Sequence, residues 1–359
     1  MIITSFDVAN FRNITQSTIK PDHHLNLVSG SNGSGKSTLL EAIQCLSMGY
    51  SFRTRRTREL IKLGQPSLQL SAILKNPVDA RVHRAGLEKR RDGNPTLRLD
   101  FEDLSSQAEI TRLLPVKAIT PDSHKLIQDG PEFRRQYLDW GVFHVEPQFL
   151  DSWRSFKRSL MQRNQLLRMG GTDQEVEGWS EILVQSAQKI DQYRRSYLKK
   201  LESFFLKRIQ TLDTMFHVEL NYRCGWSHDH DLADLLVRNL QYHRKMKTTT
   251  DGPHRAELTI KVEGQNARSF LSRGQQKLIV YLLHMAQLDV LDELTGKPAI
   301  VLCDDIESEV DRENTGFLIE QLLQLESQIF VSGVNLASFA EYPHKGFHVE
   351  RGSVKTLYT

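Results

Sequence analysis

The chain has 359 residues, 39% of them hydrophobic and 25% charged. These proportions are ordinary for a soluble globular protein, and the length is enough for two domains with real cores. No stretch approaches the roughly 20 uncharged apolar residues that a membrane span requires. Asp7 and Arg12 interrupt what would be the apolar core of a signal peptide. The three cysteines, Cys45, Cys224 and Cys303, are an odd number without metal-ligand spacing, which suits free thiols in a reducing cytoplasm. A membrane protein, a disulfide scaffold and a disordered chain are excluded, and a cytoplasmic location is expected.

A net charge of +3 is too small to imply a nucleic-acid partner by itself. Local clusters say more. Residues 51–58, SFRTRRTR, hold Arg53, Arg55, Arg56 and Arg58. The stretches 152–171 and 235–250 are basic and contain no acid. Each is readable as a solvated face or as a DNA contact.

In chain order, Met1–Val8 and His24–Ser29 read as strands. The loop Gly30–Lys36 follows, and then a stripe of Leu39, Leu40, Ile43 and Leu46 that predicts a helix. Residues 67–75 predict another strand, and 78–103 a set of hairpins or loops. From Pro131 to about Leu212 the texture is helical. Phe149, Trp153, Phe156, Leu160 and Leu167, then Leu183, Ile190, Tyr193, Tyr197, Leu201 and Phe204, predict two long antiparallel helices joined at Gly170-Gly171-Thr172. Strands are expected at 257–262, 298–303 and 328–332, a helix over 273–291, and a hairpin over 346–358. Mixed α/β ends around a helical middle imply one domain made from both termini, with a second lobe inserted.

The strongest motif is Gly30-Ser31-Asn32-Gly33-Ser34-Gly35-Lys36-Ser37, followed by Thr38. Glycines let backbone N–H groups turn inward around phosphates, and the following helix directs its positive end at them. Lys36 supplies a charge to the terminal phosphates, and Ser37 a hydroxyl for Mg²⁺. The second motif is the apolar run 298–303 ending in Asp304 and Asp305. A buried strand ending in acid delivers a carboxylate, Asp304, to that Mg²⁺. Asp305 then stands where a group can orient or deprotonate an attacking water. The third, Leu271-Ser272-Arg273-Gly274-Gln275, is by type a helix start, with Ser272 as its cap.

Taken with the other two motifs, that pentapeptide resembles the signature loop of ABC-type ATPases, whose serine and glycine contact the γ-phosphate held by the opposite subunit. Phe330-Val331-Ser332 occupies the place where many such ATPases carry a switch histidine, with Ser332 as the nearest polar substitute. Nearly the whole chain resembles the RecF family, bacterial recombination mediators related to SMC-type ATPases. The resemblance rests on Asn10-Phe11-Arg12-Asn13, Pro121-Asp122, Leu126-Ile127, Gly130-Pro131-Glu132-Phe133-Arg134-Arg135-Gln136-Tyr137-Leu138-Asp139, Gly252-Pro253-His254-Arg255 and Ser308-Glu309-Val310-Asp311. Asp129 and Val310 depart from the family pattern, where glycine and leucine are usual. Lys117 lies about where a Q-loop glutamine is sought.

The resemblance implies a two-lobed ABC-type P-loop ATPase head with an inserted mainly helical lobe: residues 1–120 and 251–359 for the head, 121–250 for the insertion. It implies a weak ATPase using ATP and Mg²⁺, with Arg12 and Asn13 beside the phosphates and Ser272, Arg273, Gly274 and Gln275 acting in trans across an ATP-dependent homodimer. The expected partners are gapped, single- and double-stranded DNA, RecO and RecR, and indirectly RecA, which the protein would help onto gapped DNA in repair and the SOS response. Arg134 and Arg135 either contact DNA or pair with Glu132 or Asp139 at the lobe junction. His254 is readable as a core histidine or as a nucleotide or DNA ligand. The alternative is an ABC-type ATPase subunit of a transporter or of another SMC-like assembly. Transporters, however, carry phosphate loop and signature much closer together than Lys36 and Ser272.

Overall fold

The computed structural model describes residues 1–212, 217–227, 229–306, 312–334, 336–339 and 341–357, with side chains described at all of these but 312 and 313. The segment Ser308–Asp311, part of the family resemblance, lies outside them. The chain divides into two compact units, Met1–Ser123 with Arg273–Thr359, and His124–Ser272. The first therefore draws on both ends of the chain. The second division falls at 272/273 rather than 250/251. The reason is a pairing: strand Glu257–Val262 bonds along its length to Val218–Arg223, which holds residues 251–272 in the inserted unit.

The first unit is built on two six-stranded sheets. One is antiparallel, in the order Ile14–Ile19, Ile2–Phe11, Ser67–Lys75, Val82–Arg90, Thr96–Leu99, Glu102–Asp103. Strand Ser67–Lys75 shows why it forms: Leu68, Leu70, Ala72 and Leu74 alternate inward while Gln69 and Ser71 face out. Residues 78–103, expected as hairpins or loops, supply three strands of this sheet. Ile14–Ile19 is a strand that sequence reading did not single out, because an edge position leaves four of its six residues polar.

The other sheet runs Ser353–Leu357, Lys345–Glu350, Leu25–Ser29, Gln328–Gly333, Ile300–Asp304, Val116–Ile119. All its pairings are parallel except that of the terminal hairpin. Strands covered on both faces read as unbroken apolar runs, and every residue of Ile300–Asp304 is buried. The helix Lys36–Met48 places Leu39, Leu40, Ile43 and Leu46, all fully buried, in a core with Phe6, Phe11, Phe330 and Phe347. Each such side chain contributes about 2 kcal/mol of hydrophobic free energy.

In the inserted unit, helices Phe149–Met169 and Ser180–Ile209 pack along one another, as the aromatic and leucine stripe predicts. Gly170 ends the first helix at φ +78°, a conformation that costs a side-chain-bearing residue about 1 kcal/mol. Between them Thr172 and Glu175 form a reciprocal capping box on the short helix Asp173–Gly178. Two arginines of this unit lie in its core. Arg163 bonds the hydroxyls of Ser180 and Thr249, and Arg194 makes a two-pronged ion pair with Asp139. Arg163, counted from sequence in a basic surface cluster, is thus an interior residue whose charge is taken up by neighbouring oxygens.

Candidate functional site

The glycine loop joins strand Leu25–Ser29 to helix Lys36–Met48. Gly30, Gly33 and Gly35 adopt φ of +152°, +76° and +117°. Gly30 is also a close approach: a Cβ there would stand 2.4 Å from the Val349 carbonyl oxygen and 2.6 Å from Ser34 Oγ. The terminal hairpin thus braces the loop, and the Gly352 N–H donates to the Ser34 carbonyl at 2.9 Å. Asn13 Nδ2 donates to that carbonyl as well, at 3.1 Å.

Lys36 is folded back over the loop. Its Nζ donates to the carbonyls of Gly30 at 2.9 Å and Ser31 at 3.0 Å. One helical position on, the Ser37 hydroxyl donates to Asp304 Oδ1 at 2.7 Å. The parallel register sets Asp304 beside Ser332, whose hydroxyl donates to the same Oδ1 at 2.6 Å. Asp305 follows at φ +56°, its N–H held by the Ser332 carbonyl at 3.0 Å. This turn leaves Asp305 half-buried at the cavity wall.

The cavity has a volume of about 540 Å³ and is lined by Arg12, Asn13, Asn32, Gly33, Gly35–Thr38, Arg53, Pro121, Asp304 and Asp305. Those residues suit an anionic, phosphate-bearing ligand. Ser34 Oγ and Arg12 Nε are buried polar atoms that meet no protein partner. A hydroxyl and a carboxylate, Ser37 and Asp304, are hard oxygen donors of the kind Mg²⁺ takes together with phosphate oxygens and water. The geometry thus brings together the loop residues, Arg12, Asn13, Ser37, Asp304 and Asp305.

Other predicted residues stand elsewhere. Ser272 and Arg273 are exposed, and helix Arg273–Thr295 begins directly after Ser272. Arg273, Gly274 and Gln275 are not in the cavity wall. Arg55, Arg56 and Arg58 are exposed, Arg55 lying over the Tyr50 ring, Arg56 pairing with Glu59, and Arg58 with Asp92. Arg53 separates from them, because it faces the cavity and pairs with Asp304. Arg134 forks onto Glu257, not Glu132 or Asp139, and also donates to the carbonyls of Leu126 and Asp129. Arg135 donates to the Ala256 carbonyl. Lys117 is buried on strand Val116–Ile119 and donates to Gln287, so it takes no part in the cavity wall. His254 bonds the Thr249 carbonyl, and burial pulls its pKa down to about 4.

Sequence reading missed Glu41. Fully buried on the phosphate-loop helix, it receives Arg12 at 2.5 Å and the Ser51 hydroxyl. A carboxylate between apolar Leu40 and Ala42, on a helix flanked by buried positions, was the available signal.

A glycine loop between a parallel strand and its helix, an acid ending the strand next but one in the same sheet, and an antiparallel sheet in the same unit define an ABC-type P-loop ATPase head. Residues 2–352 match the family model described as RecF/RecN/SMC N terminal domain. The DNA replication and repair protein RecF of Stutzerimonas stutzeri is 37% identical, the alignment covering 100% of this chain and 98% of that one. Its counterpart in Pseudomonas paraeruginosa is 36% identical, covering 100% and 99%. A solved structure of the recombination mediator protein RecF with ATP, in the RecFOR pathway, superposes with a TM-score of 0.90 at 26% identity, over 99% of this chain and 98% of that one. An Smc head domain from Pyrococcus furiosus, at 16% identity and a TM-score of 0.59 over 99% of this chain and 96% of that one, shares the fold. The chain belongs to the RecF family of DNA replication and repair proteins, among the SMC-like ABC ATPases. The transporter alternative gives way to this assignment.

Proposed function

We propose that this chain binds ATP with Mg²⁺ in the cavity around Lys36, dimerises on it, and hydrolyses it slowly while acting on DNA. The carrying observation is the preformed loop: Lys36 drawn over Gly30 and Ser31, beside a Ser37–Asp304 pair. A relative of the same fold has been solved with ATP, which supports the choice of nucleotide. Ser37 and Asp304 are the residues to hold Mg²⁺, which would supply positive charge to the phosphates. Arg12 and Asn13 flank them. Asp305 orients the attacking water, and being one methylene shorter than glutamate it reaches that water less easily, so turnover is slow.

Ser272, Arg273, Gly274 and Gln275 complete the site of a second copy. The Ser272 hydroxyl and the positive end of the helix that follows favour the γ-phosphate charge, which ADP lacks. ATP then stabilises the dimer by its extra affinity for the paired state. The names of the RecF relatives, and the RecFOR pathway to which the solved ATP-bound relative belongs, support a role in repair with RecO and RecR, helping RecA onto gapped DNA. DNA contact falls to the exposed Arg55, Arg56 and Arg58 in preference to Arg134 and Arg135, whose side chains are engaged internally.

The test is light scattering with ATP and with ADP, joined to a mixing experiment. Ser272→Arg should keep ATP binding and lose both dimerisation and hydrolysis. Mixed with Lys36→Ala it should regain partial hydrolysis, because one composite site of the mixed dimer is intact. Equal mass in both nucleotides, with no recovery on mixing, would refute the shared site.

A further inference from the structure

Two arginines converge on the buried Glu41, and one of them reaches further. Arg12 Nη2 donates to Glu41 Oε2 at 2.5 Å, and the Ser51 hydroxyl donates to the same oxygen. Arg53 Nη1 lies 3.5 Å from Glu41 Oε1, while its Nη2 lies 3.3 Å from Asp304 Oδ2. One guanidinium therefore spans two carboxylates whose side chains are 0% and 3% exposed. Asp304 Oδ1 is already engaged by Ser37 and Ser332. Oδ2 is the oxygen that Arg53 covers.

Resting on the nucleotide and Mg²⁺ reading above, we propose that Arg53 is a positioning residue that pairs with the metal-ligating carboxylate and shifts wholly onto Glu41 when a divalent cation binds there. A carboxylate buried without a counter-charge is costly, so Asp304 needs a cation beside it whether or not a metal is bound. Arg53 supplies it. A guanidinium and a divalent cation repel one another and compete for the same oxygen. The displaced group needs a partner, and Glu41 is already within 3.5 Å. The Arg53 side chain is 51% exposed, which leaves it room for so small a shift. Asp304 is thus guarded until phosphate oxygens arrive to make up the rest of the metal's coordination. Cation binding without nucleotide is disfavoured, and Glu41 sets how readily Arg53 lets go.

The experiment titrates Mn²⁺ by electron paramagnetic resonance, with protein in excess over a non-hydrolysable ATP analogue. Nucleotide affinity is measured separately with a fluorescent analogue in a chelator. Arg53→Ala should bind Mn²⁺ about three- to tenfold tighter, the range expected for removing a partly exposed charged competitor. Arg53→Lys, which keeps the charge but loses the fork, should fall between. Glu41→Gln should bind Mn²⁺ more weakly, because Arg53 loses its second partner. The double variant should return to the value of Arg53→Ala. Unchanged or weaker Mn²⁺ binding in Arg53→Ala, at protein concentrations set from the chelator titration so that each variant holds all of the analogue, overturns the guarding role and leaves the nucleotide site standing. A wild-type protein that takes up the analogue but no Mn²⁺ overturns the metal reading and this proposal together.

Discussion

Replacing Lys36 by methionine isolates a single charged hydrogen bond at the phosphate site. An ammonium has three N–H donors. Two are spent on the Gly30 and Ser31 carbonyls at 2.9 and 3.0 Å, so one remains for a phosphate oxygen. A hydrogen bond to a charged group contributes about 1.5–3 kcal/mol. Its loss should weaken ATP binding about 10- to 150-fold, at 1.4 kcal/mol per tenfold. The fold should hold. Lys36 sits at the start of its helix, and methionine matches its stem. The melting temperature should therefore move by only a few degrees, the equivalent of about 1 kcal/mol. Calorimetric titration with ATP, paired with a thermal melt, reads both quantities. Binding within twofold of the wild type, in a folded variant, would show that the phosphates do not lie at Lys36.

The two acids should separate in kind. Asp305→Asn should trap an ATP-bound dimer with Mn²⁺ affinity intact, whereas Asp304→Asn, losing an acceptor for Ser37, Ser332 and Arg53, should weaken the metal. Equal, mild effects from both would reverse the roles. DNA binding should be electrostatic and tolerant of sequence, each neutralised phosphate adding roughly 0.9 to the log–log salt slope on duplex DNA. Arg55, Arg56 and Arg58 replaced together by alanine should flatten that slope while ATP affinity holds, and an unaltered slope would return them to a solvated face. The last prediction concerns acid. His254 is held neutral with a pKa of about 4 against an ordinary 6.5, so the unfolded chain takes up the proton first. Stability should then be full above pH 6.5 and fall as the pH drops toward 4, by up to about 3 kcal/mol from this group. His254→Asn should show a shallower loss in denaturant melts at pH 7 and pH 5. An identical pH slope would place the histidine's titration outside the folding equilibrium.

What the sequence determined by itself is the local chemistry whose residues are neighbours along the chain. A glycine loop before an apolar stripe, and an unbroken apolar run ending in Asp304-Asp305, announce their roles because period and backbone freedom are properties of adjacent residues. The stripe from Phe149 to Phe204 likewise declared its helix pair. Tertiary structure decided which distant side chains share an oxygen. Arg53 left its exposed neighbours for Asp304, 251 positions away. Arg134 met Glu257 instead of the acids nearby in sequence. Asp139 met Arg194, and Glu41 collected Arg12, Ser51 and Arg53 around one buried charge. No periodicity encodes such choices. A charge taken out of water must find its opposite wherever folding brings one within reach, and strand register and helix packing determine where that is.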